Sequence, residues 1–285
     1  MCGAMAKRSF LSRLIPLRLR KSVPVVHLVR LHGAIGIGTP LRPPLTAKDL
    51  DDLLERAFAR KGLAAVALSI NSPGGAAVQS ALIHRRIRAL ADEHKVPVLV
   101  FCEDVAASGG YWLACAGDEI FADESSIIGS IGVIAAGFGF VEALAKLGIE
   151  RRVHTAGESK SILDPFQPEK KEDVARLTAL QTDVHEAFKA LVRARRKGKL
   201  KGVDKELFSG AFWSGRQALD LGLIDGIGHA HDVLRLKFGD KVVIRNLAPS
   251  PGWGLKRLGF GAAADIPEHT LDALETRALW SRFGL

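Results

Sequence analysis

The chain has 285 residues, 47% of them hydrophobic, and a formal net charge of +9. This apolar content supplies a buried core and excludes a disordered composition. The charge excess is local: residues 1–48 hold nine Lys or Arg and no acid, which leaves 31 of the 40 basic residues to balance 31 acidic ones. A formally neutral body argues against a broad phosphate-binding face, so nucleic acid is not expected as a partner.

Residues 1–21 form a basic N-terminal arm. A cleavable signal peptide is not predicted, because the apolar stretch after its start is broken by Arg13, Pro16 and Arg18. An organelle transit peptide, an arm in peripheral contact with membrane lipid and a disordered tail remain open. The apolar run at 127–141 contains glycines and is shorter than the ~20 residues that a bilayer needs. We therefore expect no transmembrane segment and a cytoplasmic or peripherally membrane-associated protein.

The first hundred residues predict a βαβ arrangement. Apolar runs rich in β-branched residues alternate with segments of helical periodicity, separated by glycine and proline. The predicted elements are a strand over Val23–Leu31, a helix from Thr46, a strand over Ala64–Ile70, a helix over Ala76–His94 and a strand over Val96–Cys102. Because these strands are hydrophobic throughout, the fold class is α/β with a mostly parallel sheet covered on both faces.

The second half continues the alternation and ends in a tail. The predicted elements are a loop at Glu103–Ala107, a short helix from Ser108, strands at Glu119–Ala122, Gly132–Ala135, Arg151–Thr155 and Lys241–Arg245, and helices at Phe140–Leu147, Pro168–Arg196, Gly215–Leu221 and Glu268–Trp280. We predict one domain over 22–245, followed by a partly helical C-terminal tail over 246–285.

Two loops directly follow predicted strands, at the sheet edge where α/β proteins place their sites. In the first, Asn71-Ser-Pro-Gly-Gly75, the glycines permit positive φ and leave backbone N–H groups open to a ligand oxygen. In the second, small residues surround Ser108 and would let a carbonyl approach its hydroxyl. Each loop also has an ordinary interpretation, as a strand-to-helix turn and as a helix N-cap respectively.

A nucleophilic serine needs a base, and the sequence offers two nearby candidates. His154 lies at the end of a predicted strand. Lys160 lies among small polar residues, where burial would favour the neutral amine that accepts a proton. Taken alone, Lys160 is more readily interpreted as a solvated surface lysine.

Three cysteines, Cys2, Cys102 and Cys115, lack metal-ligand spacing and suggest buried reduced thiols. No metal or cofactor is therefore expected from them.

The order and separation of three segments resemble the signal peptide peptidase A family (SppA/SohB-like), the S49 serine peptidases. They are Ile70-Asn-Ser-Pro-Gly-Gly75, Ala107-Ser108-Gly-Gly-Tyr-Trp112 and Gly157-Glu-Ser-Lys160-Ser161. The resemblance extends over about Val23 to Arg245. It includes Gly129-Ser-Ile-Gly-Val133 and Phe212-Trp-Ser-Gly-Arg-Gln-Ala-Leu-Asp-Leu-Gly-Leu-Ile-Asp225.

This resemblance implies a fold like the Clp protease/crotonase superfamily, a spiral of ββα units with a mostly parallel sheet. It places the family's Ser-Lys dyad on Ser108 and Lys160 and its oxyanion hole on the N–H groups of Gly75 and Gly109. Ser130 matches a serine that orients the lysine. The implied substrates are unfolded or apolar peptides such as residual signal peptides, and no metal or nucleotide is required.

A ring-shaped homo-oligomer, in which neighbouring subunits complete the cleft, is a further expectation from the family. An N-terminal transmembrane anchor, which is usual in the family, is not predicted for this sequence. Two rival functions remain open on the same fold. One is a crotonase-type acyl-CoA enzyme, and the other is a non-catalytic scaffold that binds peptides or membranes.

Overall fold

A computed structural model describes residues 23–38, 43–157, 159–248 and 277–284. The basic arm at 1–21 and most of the predicted tail helix lie outside the described residues. The strands are β1 (Val25–His32), β2 (Ala65–Ser72), β3 (Val98–Ala107), β4 (Glu119–Ala122), β5 (Ile127–Gly129), β6 (Phe212–Ser214), β7 (Gly226–Ile227) and β8 (Val243–Leu247). The helices are α1 (Ala47–Phe58), α2 (Ala77–His94), α3 (Gly109–Ala114), α4 (Val141–Lys146), α5 (Lys171–Arg195), α6 (Asp204–Leu207), α7 (Gly215–Asp220) and α8 (Ala230–Phe238). Residues 277–281 are also helical.

The strands form one mixed sheet in the order β6-β5-β3-β2-β1-β8, with β4 paired to β3 and β7 paired to β4. Every pairing is parallel except that of β5 with β6. β1, β2 and β3 are almost entirely buried, as expected for central strands covered on both faces. The prediction of an α/β fold with a mostly parallel sheet is confirmed.

Helices cover both faces of the sheet. α1 begins at Thr46, whose side chain accepts a hydrogen bond from the Asp49 N–H at 3.1 Å. The apolar sides of α1, α2 and α3 join one large core on the first face, and α8 covers the second face through Val233 and Leu234. Among the described helices, none combines the length and apolarity needed to cross a membrane.

β3 is longer than predicted. The segment Glu103–Ala107, expected as a loop, continues the strand without interruption. Its partner changes along its length, because β4 pairs with the first half of β3 and β5 pairs with residues 105–107. Ser108 therefore follows directly from a strand that is held by neighbours up to its last residue.

Two predicted strands are wrong. Residues 132–135 and 151–155 have no regular structure, since no strand lies beside them within the described residues to accept their hydrogen bonds. The apolar side chains of the first segment are instead exposed, with Ile134 66% accessible. α4 forms as predicted, but none of its residues is buried. The segment 133–157 thus extends from the body.

The C-terminal end of α5 is fixed by a buried ion pair. The Arg196 side chain, 2% exposed, binds Asp225 with 2.6 Å between Nη1 and Oδ2. Two further nitrogens of Arg196 donate to the Gly222 carbonyl at 3.0 and 2.8 Å. Earlier in α5, Phe188 stacks on Trp112 of α3 with 4.6 Å between ring centroids. The stack of Phe188 on Trp112 ties α5 to the helix that follows Ser108.

Candidate active site

Ser108 adopts an unusual backbone conformation at the turn between β3 and α3. Its φ of 53° and ψ of −121° lie in a region that costs a residue with a Cβ about 1–3 kcal/mol. Although Ser108 precedes α3, its hydroxyl forms no capping hydrogen bond. Ser108 thus occupies the N-cap position of α3, but its hydroxyl does not serve as a cap. A strained serine at a strand-to-helix turn is typical of an exposed nucleophile.

The backbone around Ser108 is held by β5 and approached by the glycine loop. The Ser108 N–H donates to the Gly129 carbonyl at 2.8 Å. Gly74 packs so closely that a Cβ there would lie 2.8 Å from the Cβ of Ser108 and 2.7 Å from the N of Gly109. Gly74, with φ of +101°, is thus required both by its conformation and by this close approach. The sequence alone did not distinguish it from Gly75.

The glycine loop is held in place by the segment after β1. The Ile35 N–H donates to the Gly74 carbonyl at 2.8 Å, and the Ala76 N–H donates to the Ile35 carbonyl at 2.8 Å. Gly75 lies between these two bonds with φ of +139°, and a Cβ there would overlap the Ile35 carbonyl oxygen. Within the described residues, neither the Gly75 nor the Gly109 N–H has a hydrogen-bond acceptor. Both predicted oxyanion donors are therefore without an acceptor among the described residues, and Gly109 directly follows Ser108.

Ser130 lies one residue beyond the carbonyl that binds Ser108. It is buried and also has positive φ, at 50°. Its N–H donates to the Ala211 carbonyl at 2.7 Å, which ties it to the residue before β6. The structure thus places Ser108 and Ser130 on adjacent turns at the ends of paired strands.

Lys160 is placed differently from the sequence prediction. It lies in an exposed turn, where its backbone N–H donates to the Gly157 carbonyl at 3.2 Å. Among the described residues, no hydrogen bond joins the Lys160 side chain to Ser108. The expected burial of Lys160 is therefore not observed, because the segment that carries it extends from the body. His154, the other base candidate, is also exposed. The structure brings together Ser108, Gly75, Gly109 and Ser130 without either base.

Sequence reasoning missed His185 of α5. Its Nε2 lies 3.1 Å from the Ile131 carbonyl oxygen, to which the Nε2–H tautomer donates. Ser130 is therefore held between two anchored neighbours, Gly129, which binds the Ser108 N–H, and Ile131, which binds His185. A histidine amid a long charged helix carries no local signal of such a contact.

The two described cysteines take no part in this site. Burial raises the pKa of the Cys115 thiol to about 12 and that of Cys102 further still. Such thiols are inert as nucleophiles near neutral pH. No cluster of three His, Cys, Asp or Glu side chains suited to a metal ion occurs within the described ranges.

The sequence is similar to several named proteins. It matches the family model for peptidase family S49 over residues 91–241. It is 54% identical over 287 residues to a Brucella abortus (strain 2308) protein called Na(+)/H(+) antiporter NhaA, covering 96% of this chain and 39% of that protein. It is 33% identical over 217 residues to Protease 4 of Haemophilus influenzae, covering 73% of this chain and 34% of that protein. The chain thus spans well under half the length of either relative.

A solved structure is described as a mutant of a 1510-N membrane-bound stomatin-specific protease. Its alignment covers 80% of this chain and 99% of the chain in that structure. The TM-score is 0.49 and the sequence identity is 17%.

Proposed function

The chain belongs to peptidase family S49, and from that premise we propose that it is a serine endopeptidase with Ser108 as nucleophile. The observation that carries the proposal is the strained turn at Ser108, flanked by the open N–H groups of Gly75 and Gly109. Neither feature is needed for a strand-to-helix connection. Both suit a hydroxyl that attacks a carbonyl beside donors that stabilise the resulting oxyanion.

The proposed reaction follows serine acyl transfer. The Ser108 oxygen attacks the peptide carbonyl, and the amine of neutral Lys160 takes the hydroxyl proton. The N–H groups of Gly75 and Gly109 bind the oxyanion, and the proton passes to the departing amine as the C–N bond breaks. Water then hydrolyses the ester on Ser108. This step requires the amine of Lys160 in its neutral form.

The proposed substrates are unfolded, apolar peptides. Directly after Ser130, residues 133–140 have no regular structure, and Val133, Ile134 and Phe138 expose apolar side chains. A segment without regular structure has backbone N–H and C=O groups that can pair with an extended peptide in the manner of an added strand, while its side chains select apolar neighbours. Residual signal peptides have this character.

We also propose that the active form is a homo-oligomer. The side chains of Leu147 and Ile149 are exposed by 72% and 54% on the segment that extends from the body. Apolar surface of this kind is typical of a protein interface. Packing of this segment on another copy would bury it and would also carry Lys160 to a site.

The variants Ser108→Ala and Lys160→Ala, assayed separately on casein and on apolar peptides, test the dyad. Each should lose cleavage while retaining the wild-type melting temperature. Undiminished cleavage by either variant would refute its assigned role. Turnover of an acyl-CoA that survives both substitutions would favour the crotonase-type alternative, and an inactive wild type that still binds peptide would favour a scaffold.

Mixing the two inactive variants tests whether copies share sites. If Lys160 serves a neighbouring copy, mixed oligomers contain some sites with both residues intact and regain part of the activity. Light scattering on the wild type should show an assembly larger than one chain. A monomer with full activity would contradict the oligomer proposal and leave the role of Ser108 intact.

A further inference from the structure

The C-terminal turn at 277–284 packs against the strand that carries Ser108. Phe283 is 8% exposed and lies in one apolar cluster with Val105 and Ala107, the latter adjacent to Ser108. Ile127 and Trp280 complete this small cluster. It is separate from both the core under α1–α3 and the core under α8.

Three strands of the site meet beneath this one ring. Val105 of β3 pairs with Ile127 of β5, and Ala107 pairs with Gly129, whose carbonyl accepts the Ser108 N–H. Phe212 of β6 lies beside Gly129 in register, and its ring meets that of Phe283 edge-on with 5.3 Å between centroids.

The apolar cover of the strand end before Ser108 differs from that of the rest of β3. Leu99 and Phe101 of β3 are covered by α8, but Val105 and Ala107, on the same face of the strand, lie in the Phe283 cluster instead. The tail turn is itself held by the Phe283 N–H, which donates to the Trp280 carbonyl at 2.9 Å. Two aromatic side chains from the end of the chain thus close the core at the site.

We propose that Phe283 is a positioning residue for the reaction and that the turn at 277–284 is an integral part of the active-site support. This rests on the proposed function. The strained conformation of Ser108 must be imposed by its surroundings. On the face of the sheet covered by α1–α3, Gly74 and α3 surround Ser108. On the opposite face, Phe283 supports Ala107, the residue before Ser108. Loss of the ring frees the peptide before Ser108 and the Gly129 carbonyl that binds it.

The test compares three full-length variants. Phe283→Ala removes the ring, and Phe283→Leu keeps apolar volume. Leu234→Ala is the control, because it removes a buried side chain of α8 that packs on the same face of the sheet. For peptide cleavage we expect Phe283→Ala to lower kcat about tenfold or more with KM within about twofold, since small displacements of reacting groups are costly. Phe283→Leu should recover most of the rate. Leu234→Ala should lower the melting temperature and leave kcat close to that of the wild type.

Hydrogen exchange of the same proteins gives a readout that needs no activity. Amides at 105–108 should exchange about tenfold faster in Phe283→Ala than in the wild type, and Leu234→Ala should leave them unchanged. If exchange rises while the wild type cleaves no peptide, the supporting contact stands and the proposed function fails. Unchanged exchange, a rise in kcat on loss of the ring, or equal effects of Phe283→Ala and Leu234→Ala would overturn the inference.

Discussion

Replacing Arg196 by Met should destabilise the fold far more than its place on a charged helix suggests. Arg196 is buried, and its removal leaves Asp225 partly unpaired, which for buried pairs costs about 3–5 kcal/mol. Asp225 keeps Lys199 at 2.7 Å and the Ile120 N–H at 2.8 Å, which reduces this loss. The Gly222 carbonyl loses both of its donors from Arg196, which adds about 1 kcal/mol. We expect a net loss of about 3–4 kcal/mol in the free energy of unfolding.

The dependence of this loss on pH follows from Asp225. Burial alone would raise the pKa of this carboxyl, but hydrogen bonds from Arg196 and Lys199 outweigh burial and hold the pKa below its usual range. The pair therefore stabilises the fold fully above the unfolded pKa of about 3.9, and this contribution is lost as pH falls through that value towards the lower folded pKa. The difference in the free energy of unfolding between the wild type and Arg196→Met should therefore become smaller as pH falls through this interval.

Urea denaturation followed by circular dichroism at pH 7 and at pH 3 measures both effects. Arg193→Met is the matched control, because Arg193 lies on the same helix and binds Asp204 at 2.6 Å with both side chains exposed. An exposed pair of this kind contributes up to about 1 kcal/mol. Equal losses in the two variants at pH 7 would refute the assignment of Arg196 as a buried anchor.

Three further predictions concern buried groups. Burial lowers the pKa of His84 from 6.5 to about 4, so the unfolded state binds a proton at a higher pH than the folded state does. As pH falls from 6.5 to about 4, the free energy of unfolding should therefore decrease by about 1.4 kcal/mol per pH unit. Urea titrations should show this slope in the wild type and lose it in His84→Leu. In a Cys2→Ser background, iodoacetamide should modify Cys102 and Cys115 only on unfolding, and mass spectrometry showing rapid modification of the native protein would contradict their burial. Gly129→Ala, whose Cβ would lie 2.6 Å from the Trp213 ring at a φ of +109°, should cost about 1–3 kcal/mol and reduce cleavage, and unchanged melting and activity would refute that crowding.

The central strands could be predicted because their side chains are buried on both faces, which leaves long apolar runs in the sequence. The extension of β3 could not. Glu103 and Asp104 interrupt its apolar run, but their carboxylates accept hydrogen bonds from side chains of β2, Ser69 to Glu103 and Asn71 to Asp104. Such pairing depends on strand neighbours, which a local pattern does not reveal.

The candidate site was predicted in part for a related reason. Gly75, Gly109 and Ser108 could be predicted because they lie in short motifs rich in glycine. The contacts of His185 and Phe283 could not, because they join positions far apart in the chain. The sequence left open whether Lys160 is buried or exposed, because its local pattern does not show whether the surrounding segment packs on the body.

The most direct test of the account is the rate of cleavage of a fluorogenic apolar peptide by the wild type and by Ser108→Ala. Ser125→Ala, which removes another serine hydroxyl at an exposed position, is the control. We predict that Ser108→Ala lowers kcat/KM by about a thousandfold or more, as loss of a serine nucleophile does, with an unchanged melting temperature. Cleavage by Ser108→Ala at the rate of the wild type would contradict the central claim.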